Sequence, residues 1–317
     1  MKIINATVTE ITEQDIMKKI EKCGRVCYKS EEQITNISAL RFVRMLTDHK
    51  HWAMLEHAPL VLIVTERVAK AILRGGHGTY LQVSCNKRQD RFIISGSVRA
   101  WLTVFTDEHW LQVFPEDIIS TLEYRLQASL GEEKYAIMFP HLHTTSKEDN
   151  FLLSQDDILS LEGLTPDEAR KHLYLTAHFT CDRGVSHELV RHRPASFAQE
   201  STRYCNYAKE KFGQEITVID PHFQDEARLD WIFAMEQAEE AYFKLLRRGL
   251  APQMARTVLP NSLKTEILVS CNLDEWQHII NLRYHGTTGA PHPQMKEVMI
   301  IWYELVMNKE GYKEWLK

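Results

Sequence analysis

The chain has 317 residues, 44% of them hydrophobic and 26% charged, and a formal net charge of −5. That length can bury a substantial core, and the composition is that of a globular protein rather than a disordered or fibrous one. The acidic balance does not favour nucleic acid, so any anion-binding role must be local, and no apolar run reaches the ~18 residues of a membrane span.

The first residues, MKIINATVTEITEQD, lack the apolar centre of a secretory leader. Six scattered cysteines (Cys23, Cys27, Cys85, Cys181, Cys205, Cys271) predict reduced thiols and a cytoplasmic protein. Residues 13–28 read as a helix, because Ile16, Ile20 and Cys23 recur at helical spacing. APLVLIVTE (58–66) reads as a buried strand preceded by HWAMLEH. TYLQVSC (79–85) and RFIISGS (91–97) read as paired strands, and VRAWLTVF starts a helix. Residues 106–171 are mixed and partly acidic; PDEARKHL reads as a proline-started helix leading into the strand LYLTAHFTC.

A helix is then expected to carry His187 to Arg193 and to stop there, because the residue before Pro194 is pushed out of the helical region. Residues 225–249 read as a long amphipathic helix capped by Gly249. Ile232, Met235, Ala238, Tyr242 and Leu245 lie near one face of it, a stripe read as plain core packing. PQMARTVLP is a short helix closed by Pro260, KTEILVSCN a strand, LDEWQHIINLRYH a helix, and PQMKEVMIIWYELVMN the last one. Strands and helices do not alternate regularly, so the expected class is α+β, a core of mixed helix and antiparallel sheet. No G-x-G-x-x-G follows a strand, and RGGHG at 74–78 is not that fingerprint, so a Rossmann site is not supported.

The stretch SHELVRHRPASFAQESTRYCNY (186–207) carries the most chemistry. HELVRH resembles a zinc-protease motif, but His187 and His192 are five apart, roughly 140° around a helix, and cannot easily share one ion. The pairs expected on one face are His187 with Arg191, and Glu188 with Arg191 and His192. After Pro194 a polar turn is expected through Ser196, Gln199, Glu200, Ser201, Thr202, Arg203 and Tyr204. Between residues 172 and 208 every basic side chain other than histidine is arginine: Arg183, Arg191, Arg193 and Arg203. Their planar forks suit phosphate and carboxylate.

With Arg191-His192-Arg193 followed by seven residues and Ser201, the segment resembles the flavin-dependent thymidylate synthases. GRVCY (24–28), HWAMLEHAPLVLIV (51–64), and ARTVLP followed by SCNLDEWQHIINLRYH agree in order with that family. The resemblance covers residues 1–65 and 172–310. Residues of about 66–171 match poorly and read as an elaboration inserted in a single domain spanning 1–317. The resemblance implies reductive methylation of dUMP to dTMP, with methylenetetrahydrofolate giving the carbon, NADPH reducing FAD, and FAD carrying the hydride. It also implies a homotetramer with active sites where subunits meet and no cysteine nucleophile. The net charge, the lack of a long apolar run and the histidine spacing lead to the expectation of no nucleic-acid partner, no membrane partner and no metal.

Residue by residue, the resemblance assigns the flavin to His51, Ala53, Glu56, Arg191, His192, Arg193, Gln199, Asn272 and His278. It assigns dUMP to Glu188, Leu189, Val190 and Arg191, to Gln199, Glu200, Ser201, Thr202 and Arg203, and to Arg256 and Arg283. Ser201 and Arg203 would hold the phosphate, with Arg256 as a further clamp. Arg283 is the expected catalytic residue: a fixed cation beside the pyrimidine would stabilise charge spreading over the ring as hydride arrives. The chain departs from some members at Cys27, Ala53, Ala198, Gln199 and His278, which leaves backbone contacts or uncharged hydrogen bonds at several of these places.

Two other classes fit parts of the pattern. A metal hydrolase would draw on His141, His143, His172, His178 or His187, but no third ligand follows at a diagnostic spacing. A non-catalytic nucleotide-binding protein would keep the arginine cluster without redox chemistry.

Overall fold

The fold is α+β, seen in a computed structural model that describes residues 1–74, 81–86, 91–106, 127, 130–138, 157, 158, 163–309, 312, 313 and 316. The strands are β1 (Lys2–Ile4), β2 (Thr7–Glu10), β3 (Pro59–Val64), β4 (Gln82–Asn86), β5 (Arg91–Ser97), β6 (Tyr174–Asp182), β7 (Ser196–Gln199), β8 (Thr217–Ile219) and β9 (Lys264–Asn272). They form a parallel pair β1-β8, an antiparallel sheet in the order β2-β6-β9-β7, and an antiparallel sheet in the order β3-β5-β4.

The four-stranded sheet positions the candidate site. β6 and β9 pair from Tyr174 opposite Asn272 to Asp182 opposite Lys264. Side chains alternate across a strand, so Leu175, Ala177, Phe179 and Cys181 share a face with Ile267, Val269 and Cys271. That face packs against Trp276 and Trp302 of the helices Leu273–Arg283 and Pro293–Met307. The other face is covered by the helix Ile16–Tyr28, where Cys23 and Val26 meet Ala198 and Leu268. It is also covered by the turn Trp52–His57, tied down by a 2.7 Å hydrogen bond between His57 Nδ1 and Ser270 Oγ. Burial pushes His57 down to about 4, so the ring stays neutral in this apolar layer. A second core, containing Met17, Leu46, Leu55, Leu60, Leu62 and Trp101, lies against the three-stranded sheet.

The observed elements correct the sequence reading in several places. The first helix begins at Ile16, because Asp15 caps it by accepting from Met17 N at 2.9 Å and Lys18 N at 3.1 Å. The proline-started helix is only Pro166–Ala169, opened by a Thr165–Glu168 capping box. The helix expected to reach Arg193 stops at Leu189, with Val190 as its cap. Part of the expected polar turn, Ser196–Gln199, is a strand paired with β9. The short strands β1, β2 and β8 and the helix Ser38–Asp48 were not legible by periodicity. Strands β4 and β5 do pair, as expected. The long helix runs Asp225–Arg247, and Gly249 follows it at φ 86°, the left-handed geometry expected of its cap. Met235 and Tyr242 of its stripe are buried. His141 and His143 lie outside the described residues.

Candidate active site

β6 and β9 each run straight into a helix. Asp182 ends β6 and caps the helix Arg183–Leu189, accepting from Val185 N at 2.6 Å. Asn272 ends β9 and caps the helix Leu273–Arg283, accepting from Glu275 N at 3.0 Å. Because the strands are antiparallel, the helices leave from opposite ends of the ladder. At ~1.5 Å per helical residue they are ~10 and ~16 Å long, over a ladder of ~30 Å. Their last turns therefore meet over the sheet.

At that meeting point Arg283 Nη1 donates to Glu188 Oε2 at 2.7 Å, and Nη2 reaches the Glu188 carbonyl at 3.5 Å. Arg283 Nε donates to His192 Nε2 at 3.2 Å. The Nε2 lone pair is thus an acceptor, so the neutral ring carries its proton on Nδ1. Nδ1 lies 3.7 Å from Glu275 Oε1, a buried oxygen with no hydrogen-bond partner among the described residues. The His278 ring stands edge-on to His192, with centroids 5.9 Å apart. His192, Glu275 and His278 offer ligand atoms within 4.8 Å of one another. A cation there would sit beside the Arg283 guanidinium and compete with it for His192, which disfavours a metal.

His192 is buried at 5% exposure, whereas Arg191 and Arg193 are exposed. This follows from the early end of the helix: Arg191 N bonds the Glu188 carbonyl and His192 N the Leu189 carbonyl, a tight turn that sends alternate side chains in and out. The expected pairing of Glu188 with Arg191 and His192 is replaced by its pairing with Arg283. Leu189 is buried and Val190 exposed.

The segment after β7 turns its odd and even positions to different tasks. Glu200 is buried and accepts from Lys264 Nζ at 2.8 Å. Ser201 N donates to the Cys27 carbonyl at 3.1 Å, tying this turn to the GRVCY segment, and Ser201 Oγ accepts from Arg203 N at 3.3 Å. Arg203 is exposed, 5.8 Å from the Tyr204 ring, which lies 5.3 Å from Tyr28. Beneath the turn, Glu266 accepts from Lys29 at 2.8 Å, pairs with His178 at 3.0 Å and bonds Lys264 at 2.5 Å. Burial opposes the charge of Glu266, but His178, Lys264 and Lys29 together hold its carboxyl well below the usual range. Lys29 is also desolvated, yet Glu266 and Glu31 raise it above the usual lysine range.

A separate cleft of about 290 Å³ is lined by Arg183, His187, Thr202, Arg256 and Asn261 among others. Arg256 Nη1 donates to Thr202 Oγ1 at 3.2 Å. Two expected flavin contacts are engaged within the fold. Gln199 Nε2 donates to Ser186 Oγ at 2.9 Å and Thr265 Oγ1 at 3.2 Å, and Asn272 Nδ2 donates to the Lys171 carbonyl at 3.2 Å. His51 and Ala53 are exposed at the turn Trp52–His57, and Glu56 pairs with Arg99. The histidines weighed for a metal are dispersed: His172 bonds Ser95 and His178 bonds Glu266.

Two residues of this region escaped the sequence reading. Glu275 stands three before His278, a helical spacing that places both on one face. Arg183 was visible as one of the run of arginines, but nothing in its spacing distinguished it from a surface charge. The cysteines carry no activated thiol at the site: burial pushes Cys27 up to about 11 and Cys205 up to about 12.

Residues 156–309 match the family model described as thymidylate synthase complementing protein. The chain is 36% identical over 142 residues to a flavin-dependent thymidylate synthase of Pyrococcus abyssi, a match covering 39% of this chain and 58% of that protein. It is 36% identical over 101 residues to a flavin-dependent thymidylate synthase of Geobacter sulfurreducens, covering 32% of this chain and 43% of that protein. The chain thus spans about half the length of these curated relatives. Among solved structures it is similar to a UMP/dUMP methylase PolB from Streptomyces cacaoi, at 14% identity and TM-score 0.40 over 97% of this chain and 92% of that one, a likeness too distant to bear on function. The family match includes both Arg191–Arg193 and Arg283; the GRVCY and HWAMLEH segments lie outside it.

Proposed function

We propose that the protein reductively methylates dUMP to dTMP, with methylenetetrahydrofolate as carbon donor and FAD reduced by NADPH as hydride carrier. The observation that carries this reading is the convergence of Arg283 with Glu188 and His192, residues 95 and 91 positions apart in sequence. The R-H-R segment and the C-terminal segment, both picked out by the family resemblance, form one constellation. The named relatives support the same chemistry.

The residues present fit an anionic flavin cofactor. Arg191 and Arg193 are exposed on either side of buried His192, and neither forms an ion pair among the described residues. These three, with His51, the Ala53 backbone, Glu56 and His278, would hold it. Gln199 and Asn272 are engaged by the scaffold, so their part is to position neighbouring elements. FAD supplies the hydride when bound and reduced. The chain's own contribution is electrostatic. Three acceptor contacts fix the Arg283 guanidinium before substrate arrives, so its charge needs no reorganisation as negative charge develops on the pyrimidine. Ser201, Arg203 and Arg256 would bind the nucleotide's phosphate. The reading includes a single domain, a cytoplasmic location and a homotetramer with shared active sites. Leu229 and Phe233, 67% and 64% exposed on the helix Asp225–Arg247, fit a helix with a face left for another subunit.

The test is direct. Purified protein should take up FAD, show flavin absorbance, and form dTMP from dUMP, methylenetetrahydrofolate and NADPH. Protein that stays colourless with added FAD overturns the reading; if it still binds dUMP, a non-catalytic nucleotide-binding protein takes its place.

A further inference from the structure

The cleft beside the helix Arg183–Leu189 contains an arginine with no assigned task. Arg183 Nη1 is buried and has no hydrogen-bond partner among the described residues. A buried guanidinium nitrogen without an acceptor is costly to the fold, and such a group calls for an explanation. Its backbone is held firmly, with Arg183 N donating to the Asn261 carbonyl at 2.9 Å, so the side chain leaves a fixed point. The same cleft is lined by Arg256, whose Nη1 donates to Thr202 Oγ1 at 3.2 Å. His187, Thr257 and Asn261 add polar groups, and no carboxylate lines the cleft among the described residues. Two guanidinium groups facing one space repel each other unless an anion lies between them. The volume, about 290 Å³, is at the lower edge of small-molecule pockets, ~300–1,000 Å³.

We infer that Arg183 is a binding residue for a phosphate monoester, acting with Arg256 in this cleft. Resting on the proposed function, the ligand is the 5′-phosphate of the substrate nucleotide. Guanidinium forks bind such a group through charge-assisted, bidentate hydrogen bonds. A dianion satisfies both arginines, whereas a neutral nucleoside satisfies neither, so Arg183 selects nucleotide over nucleoside. The assignment puts Arg183, Arg256 and Thr202 around the phosphate, with Ser201 and Arg203 on the adjoining turn.

Calorimetric titration of the full chain with dUMP, deoxyuridine and inorganic phosphate tests this, in wild type, Arg183→Gln and Arg183→Lys. The expected result is dUMP binding weakened on the order of 10- to 100-fold in Arg183→Gln, with deoxyuridine binding unchanged. Arg183→Lys should fall between, and inorganic phosphate should compete with dUMP in wild type. Equal dUMP affinity in all three proteins overturns the inference, as does an equal loss for dUMP and deoxyuridine in a folded variant. Should Arg183→Gln fail to fold, a folded Arg183→Lys with unchanged dUMP affinity serves as the overturning result. The two readings fail separately. Wild type that makes dTMP, with variants that bind dUMP normally, removes only the role of Arg183. Wild type that binds phosphate through Arg183 but makes no dTMP removes only the proposed activity.

Discussion

Arg283 and Glu188 join two helices that start from opposite ends of the same antiparallel ladder, at 2.7 Å between Nη1 and Oε2. Their side chains are 22% and 33% exposed, so water screens the pair. A double-mutant cycle with Arg283→Ala and Glu188→Ala should give a coupling of about 1 kcal/mol or less in urea unfolding. Coupling above about 3 kcal/mol would mean a far drier contact.

Arg283→Lys keeps the charge and removes the fork. A compact ammonium on a flexible stem does not reproduce the fork's three contacts, so the charge is less firmly fixed when hydride arrives. Flavin reduction by NADPH should persist, while anaerobic dUMP-dependent reoxidation slows on the order of 10²–10³-fold. Stopped-flow traces of each half-reaction decide the matter; two wild-type rates would remove Arg283 from the catalytic step.

Arg203 is exposed beside Tyr204 and forms no ion pair among the described residues. Its loss therefore takes no ion pair from the described part of the fold. Arg203→Ala should weaken dUMP binding by about 1.5–3 kcal/mol with little change in Tm. Unchanged affinity rejects its phosphate role.

Single Cys→Ser variants should retain dTMP formation where they fold. Burial raises the Cys27 and Cys205 thiols rather than activating them. A folded variant that binds dUMP but makes no dTMP would indicate a thiol mechanism.

Glu266 links acid stability to the site. Its folded pKa is depressed below the ordinary value of 4.5, so its stabilisation is present above that value and is lost as pH falls through the folded pKa. Lys29 is raised above 10.5, so its share is present below that value and is lost as pH rises through its folded pKa. Glu266→Gln should cost about 3 kcal/mol at neutral pH, because it leaves lysines and His178 around a neutral amide. The difference from wild type should shrink in acid; a pH-independent difference in unfolding free energy would count against the network.

The long periodic segments were legible: the helices ending at Tyr28, Arg247, Arg283 and Met307, and the strands β3, β6 and β9. Local pattern decides these, since each presents an apolar stripe, an alternation or, in β3, a continuous apolar run. Strand β7 was not legible, because Ser196–Gln199 alternates weakly and owes its conformation to pairing with β9. The end of the helix at Leu189 was missed for a related reason. Pro194 marks a limit, not the stopping point, and the Arg191 and His192 amides turned to nearer carbonyls. At the site, the motifs identified Arg191, His192, Arg193 and Arg283 as members. That Arg283 binds His192 and Glu188, or that Gln199 and Asn272 serve the scaffold, depends on tertiary placement that spacing does not encode.

The junctions at Asp182 and Asn272 contain no loop, because each residue both ends a strand and caps a helix. Adding one residue near the end of either strand turns the following side chains to the opposite face of the sheet. The helix start would rotate with them, carrying Glu188 or Arg283 away from its partner. Chain-length changes at these two points should therefore abolish activity, and at Asn272 they also turn Trp276 out of its packing against the sheet and destabilise the fold. The exposed turn at Gly213, at φ 75°, has no such connection, and a short tag or reporter inserted there should leave dTMP formation intact.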